Sequence, residues 1–186
     1  MHCPKISLNL FMIAFMIVGI FDTSEVFWSL FIYSVSVTYL NVGIASTLIK
    51  LGIILANLII GVITDNNKWF VPAILALIVF SALWILRLNT QNVYIIFVIS
   101  VASGFMLPFF LIPTFSKFIS YARNSQNLPI WLAYREISLK TGGVFSILLA
   151  LLIPIFTLTA PFLFSAIGSL GFIGVLKKMQ HKSANN

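Results

Sequence analysis

The sequence predicts an all-α membrane protein of six transmembrane helices, and three observations carry that expectation. Hydrophobic residues fill 60% of the 186 positions and charged residues only 8%, with a mean hydropathy of +1.08. A soluble domain of this size needs far more charge to cover its surface. Apolar runs occupy almost the whole chain, at 6–37, 42–64, 69–88, 92–119, 130–156 and 158–176, and a hydrocarbon core of ~30 Å takes roughly 20 such residues per helix. The runs are too long and too continuously apolar for the alternating strands of an outer-membrane barrel. Connectors are brief, as in Asp65-Asn66-Asn67-Lys68 and Asn89-Thr90-Gln91, so residues 1–182 read as one membrane domain and 183–186 as a short tail.

The first run contains Asp22-Thr23-Ser24-Glu25 between apolar stretches 6–21 and 26–40. Two short spans would put Lys5 outside and leave almost no turn before Val42, so one long, tilted helix is the better expectation. The second run holds Lys50 and Asn57 and ends at Gly61-Val62-Ile63-Thr64-Asp65. Trp69 and Trp84 flank the third as expected interfacial anchors, and Arg87 is expected to snorkel to the outer head groups. The fourth carries Gly104, Pro108 and Pro113, and each proline removes a backbone donor, so a kink is expected. Pro129 suits the first turn of a helix. Ile130 to Lys140, with Trp131, Tyr134, Arg135 and Glu136, reads as an amphipathic lead-in to the fifth span. In the sixth, Gly168, Gly171 and Gly174 with Ser165 and Ser169 point to close helix packing.

The net charge of +7 follows topology. With a cytoplasmic N-terminus and six crossings, Lys5, Lys68, Lys117, Arg123, Arg135, Lys140, Lys177, Lys178 and Lys182 lie on or near the inner side. Arg87 alone lies outside, and Lys50 falls within a span. That bias places both termini in the cytoplasm, with some attraction to anionic lipid heads and no need of a nucleic-acid partner. Cys3 is the only cysteine, which excludes an intramolecular disulfide and a cysteine metal cluster. The first run is too long for a signal-peptide core and is expected to stay in the mature protein. His2 and His181 lie in the tails, and no metal-ligand spacing, phosphate loop or hydroxyl–His–acid set appears. No enzyme, metal or cofactor is expected.

The candidate polar residues lie inside apolar spans. Asp22 and Glu25 are spaced i, i+3 and share a helix face. An ionised side chain near mid-bilayer costs ~2.5–3.5 kcal/mol on insertion scales, so each calls for a partner, a polar cavity or protonation. Lys50 raises the same demand. With the first turn near Asn41, Glu25 and Lys50 lie at depths differing by roughly 10 Å, and a pair between Lys50 and Glu25, or Asp22, is one expectation. In the alternative, Lys50 answers an anionic substrate or a partner bundle, and the carboxyls serve as proton sites. The plainest reading makes Asp22 and Glu25 a water-filled bend.

Gly61 and Asp65, with Lys68 following, resemble the cytoplasmic loop between the second and third helices of each half of major facilitator superfamily transporters, Gly-x-x-x-Asp-basic-x-Gly-basic-basic. The inner glycine and second basic residue are missing. Tyr134-Arg135-Glu136-Ile137-Ser138-Leu139-Lys140-Thr141-Gly142-Gly143 also resembles an Arg-Glu…Gly-Arg segment leading into the eleventh helix of some bacterial members, with Gly143 where an arginine is expected. The resemblance covers nearly the whole chain, but only against a C-terminal six-helix half. It implies a facilitator-type bundle with a 3+3 repeat, in the plasma membrane, that transports a small solute with proton or sodium coupling. Asp22, Glu25, Lys50 and Asn57 are the substrate or coupling-ion candidates. Gly61, Asp65 and Lys68 form the gating loop, and Arg135 and Glu136 an inner-face helix entry. Because the family uses two bundles, a homodimer or a second six-helix chain is the expected partner besides the lipid bilayer. The competing class is a non-transporting assembly protein or an inactive fragment of a larger transporter gene.

Overall fold

In the computed structural model, which describes residues 8–65, 69–125, 127–152 and 159–184 (side chains of 62–65, 124 and 182–184 aside), the apolar runs are α-helices. They are α1 (Leu8–Ser36), α2 (Tyr39–Asp65), α3 (Phe70–Asn89), α4 (Val93–Asn124), α5 (Leu128–Leu152) and α6 (Ala160–Ala184). Five of them, all but α5, are long and apolar enough to cross a membrane, which makes the chain a multi-pass integral membrane protein. α5 differs because Arg135, Glu136 and Lys140 all fall in its first half.

α1 is a single helix of 29 residues. The polar segment does not break it because its hydroxyls find partners. Thr23 Oγ1 donates back to Gly19 O at 3.0 Å, and Ser24 Oγ lies 2.9 Å from both Ile20 O and Pro161 O and accepts from Ser165 Oγ at 2.7 Å. The chain reverses at Val37-Thr38, earlier than the turn expected near Asn41. Val37 adopts φ 54° and donates its N–H to Tyr33 O at 2.8 Å. Glycine usually takes that left-handed position after a helix, and a β-branched residue there is strained. α4 continues through Pro108 and Pro113.

Helix packing has an internal symmetry. α2 lies along α4 as α5 lies along α1; α3 packs on α4 as α6 packs on α1; α3 and α6 pack on each other. Exchanging α1–α3 with α4–α6 leaves this arrangement unchanged, so the chain is two interleaved three-helix units. Glycines repeat the pattern. Gly19 of α1 abuts the Leu139 backbone and Gly142 of α5 the Met16 backbone; Gly52 of α2 abuts Val101–Phe105 and Gly104 of α4 the Ile49 backbone. A Cβ at any of the four would overlap the neighbouring main chain, so small residues let these two pairs meet backbone to backbone. Gly19 follows Leu8 by eleven positions, and Gly104 follows Val93 by eleven. The glycine repeat of α6 plays a smaller part than expected: Gly168 touches Ile17 and Phe21, while Gly171 and Gly174 face open space.

An aromatic core fills the space between the helices. Phe21, Phe80, Phe110 and Phe172 pack ring on ring, mostly edge to face, as ring quadrupoles favour. Trp69 and Trp84 belong to the buried core and are not interfacial anchors. Trp84 packs on Phe80 and Phe162, and Trp69 lies under the Lys117 ammonium at 4.8 Å.

Candidate functional site

Besides a buried serine set in which Ser165 Oγ donates to Ser24 Oγ at 2.7 Å and Ser81 Oγ to Ala166 O at 3.0 Å, two groups of charged side chains lie among the described residues of the bundle. The first joins α1, α3 and α4. Arg87 is fully buried, and its Nη1 donates to Glu25 Oε1 at 3.0 Å, the Glu25 side chain being 32% exposed. Arg87 Nη2 donates to Ser103 Oγ at 2.7 Å, and that hydroxyl donates to Ile99 O at 2.8 Å. The guanidinium carbon stands 3.9 Å from the Trp84 ring centre and 4.5 Å from that of Trp28. Trp28 Nε1 in turn donates to Ser100 Oγ at 3.3 Å. The hydrogen-bonded ion pair with Glu25, the hydrogen bond to Ser103 and two desolvated cation–π contacts together offset the burial of the arginine. Glu25 Oε2 and Arg87 Nε are left without partners.

This overturns two expectations. Arg87 does not snorkel to head groups, and Lys50 does not pair with Glu25. With the turn at Val37-Thr38, Glu25 and Lys50 each stand twelve residues from it, about 18 Å along their helices, so their levels match. What separates them is packing: α2 lies against α4 rather than alongside α1, and Lys50 is exposed.

The second group surrounds an open cleft of about 410 Å³ between α1, α4 and α5, lined among others by Phe15, Asp22, Thr114, Phe115, Arg135 and Leu139. Asp22 is the midpoint of α1, fourteen residues from Leu8 and fourteen from Ser36. Among the described residues the ion pairs are Arg87–Glu25 and Arg135–Glu136, so the Asp22 carboxyl is not paired. Arg135 Nη1 donates to Glu136 Oε1 at 2.8 Å, and its guanidinium lies 4.8 Å from the Phe115 ring centre and 5.7 Å from that of Phe15. Arg135 Nε has no acceptor. A groove of about 400 Å³ adjoins the cleft and adds Thr23, Glu136 and Lys140 to the same charged set.

Asp22 thus shares its cleft with Arg135, which the sequence placed at a helix entry, while Glu25 three residues on turns to Arg87 and Ser103. Asn57, like Lys50, is exposed on α2 away from both groups. Gly61 is exposed near the end of α2; Lys68 and the Asp65 side chain lie outside the described residues. Arg87, Ser100, Ser103 and Trp28 were missed as site residues. The available signal was a pair of serines spaced i, i+3 in an apolar run, opposite the only basic residue assigned outside.

No protein family, no curated protein and no solved structure matches the chain, so the roles of these residues rest on their geometry.

Proposed function

We propose that this chain is one six-helix half of a secondary transporter for a small solute, working as a homodimer or beside a second six-helix chain. The observation that carries the reading is a charged cleft at the junction of two three-helix units, with Asp22 and Phe15 from the first and Thr114, Phe115 and Arg135 from the second. Secondary transporters built from inverted repeats hold their solutes near the bilayer midplane at such a junction. An odd number of helices per unit inverts the second unit relative to the first when each helix crosses. An unpaired carboxyl halfway along a membrane helix is costly against lipid, which supports a cleft that faces water, solute or a partner bundle. The resemblance to the facilitator superfamily adds the rest. α5 is the fifth of six spans in the plasma membrane, and the positive-inside bias of Lys and Arg, rather than the resemblance, supports placing both termini in the cytoplasm. Gly61, Asp65 and Lys68 form the inner gating loop, and protons or sodium ions drive the cycle.

Purification in mild detergent with light scattering, followed by reconstitution of the same sample, tests the proposal. The expected protein mass is twice 20.7 kDa, with saturable uptake of at least one labelled solute from a panel of amino acids, sugars and organic ions. A stable monomer with saturable uptake overturns the two-bundle part. A dimer with no uptake across the panel overturns the transport part.

A further inference from the structure

We infer that the cleft between α1, α4 and α5 is a site for a small zwitterion with an apolar or aromatic body, bound by its cationic end at Asp22 and its carboxylate at Arg135. The inference rests on the transport reading only in taking this cleft as the solute site.

The charge inventory comes first. Asp22, Arg135, Glu136 and Lys140 surround the cleft and its adjoining groove, two anions and two cations. Asp22, Glu136 and Lys140 are exposed in this open cleft and groove, so a solute of a single charge is attracted by two members of the set and repelled by the other two. A net-neutral solute with separated charges answers both signs. Arg135 is prepared for a carboxylate. Glu136 occupies Nη1, Phe115 and Phe15 hold the guanidinium plane, and Nε–H is buried with no acceptor. An entering carboxylate supplies that acceptor, with the side chain turning to present its free edge, and a planar guanidinium matches a carboxylate fork. Asp22, with no ion pair of its own, is the counterpart for an ammonium group.

The walls set the body of the solute. Phe15, Val18, Leu111, Phe115 and Leu139 supply most of the lining, and about 410 Å³ lies within the ordinary range for small-molecule pockets. An amino acid with a large apolar side chain meets all three requirements of size, charge pattern and surface.

Equilibrium binding to the purified protein, with three matched probes, tests this. L-phenylalanine carries both charged ends, phenethylamine only the cation, and 3-phenylpropionate only the carboxylate. The expected result is saturable binding of L-phenylalanine, with each single-ended analogue weaker by about tenfold or more, because hydrogen bonds to charged groups are the strong ones. Asp22→Asn should close the gap between L-phenylalanine and 3-phenylpropionate. Arg135→Gln should close the gap between L-phenylalanine and phenethylamine. The probe comparison on the unaltered protein needs no variant to fold. Equal binding of the three probes, preference for either single-ended one, or no saturable L-phenylalanine binding overturns the inference. The expected binding pattern without uptake in vesicles sinks the transport reading and leaves the site standing. Uptake of another solute without L-phenylalanine binding does the reverse.

Discussion

Arg87 stands in the last turn of α3, where a long basic side chain ordinarily reaches outward to head groups. In a helix, however, the Cα–Cβ bond tilts toward the N-terminus, and for α3 that is the Phe70 end. Arg87 therefore leans back into the bundle, where Glu25, Ser103 and two indole faces meet it. Sequence position alone gave its level along the helix but not the direction of its side chain. Glu25→Gln should leave a buried guanidinium uncompensated and cost stability at the lower end of about 3–5 kcal/mol, since Glu25 is partly exposed. Arg87→Met alone should also destabilise by stranding the carboxylate. The double variant should recover much of the loss, because a similar apolar volume replaces the pair. Thermal unfolding in detergent reads all three; strictly additive losses would show that the two charges do not depend on each other.

At the scale of elements, the six helices were legible as apolar runs, with most ends displaced by a few residues, while α4 runs five and α6 eight residues past the expected end because their last turns are polar and basic. Partner choice was not. Helices that are apolar on nearly all sides give no stripe to say which face meets which neighbour, so a hairpin neighbour looked like a packing neighbour and Lys50 was assigned to Glu25. The same blindness applied to glycine. Period-three glycines in α6 looked like a contact surface, whereas the backbone-to-backbone contacts use the scattered Gly19, Gly52, Gly104 and Gly142. A paired substitution separates the two kinds of position. Gly142→Val meets the Met16 main chain and should cost about 1–3 kcal/mol or more, as overpacking does. Gly171→Ala meets nothing within 4 Å and should be neutral or stabilising by up to ~1 kcal/mol through helix propensity. Equal unfolding temperatures for the two would remove the α1–α5 glycine contact from the account.

For the whole molecule, the remaining question is how α5 lies relative to the membrane, and packing and charge answer it together. Its charged first half excludes α5 from the helices that are apolar enough to cross by composition. Yet Gly142 sits against Met16 and Gly19 meets Leu139, near the middle of α1, and α5 continues ten residues beyond Gly142 to Leu152. At 1.5 Å per residue that carries it ~15 Å past the contact, toward the far end of α1. The symmetry of the packing says the same, since α5 lies on α1 as the apolar α2 lies on α4. If α5 failed to cross, α6 would run the other way and carry Lys177, Lys178 and Lys182 outside with Arg87, eroding the positive-inside bias. If it crosses, Arg135 faces the cleft and Glu136 and Lys140 the adjoining groove that Asp22 also lines, which lessens the compositional objection. Reporter fusions after Lys5, near Gln91 and after Lys182 distinguish the cases. Cytoplasmic signal at both tails and external signal near Gln91 is the expected outcome. A cytoplasmic Lys5 fusion with an external Lys182 fusion would mean five crossings, and would break the inverted relation of the two three-helix units on which the transport proposal depends.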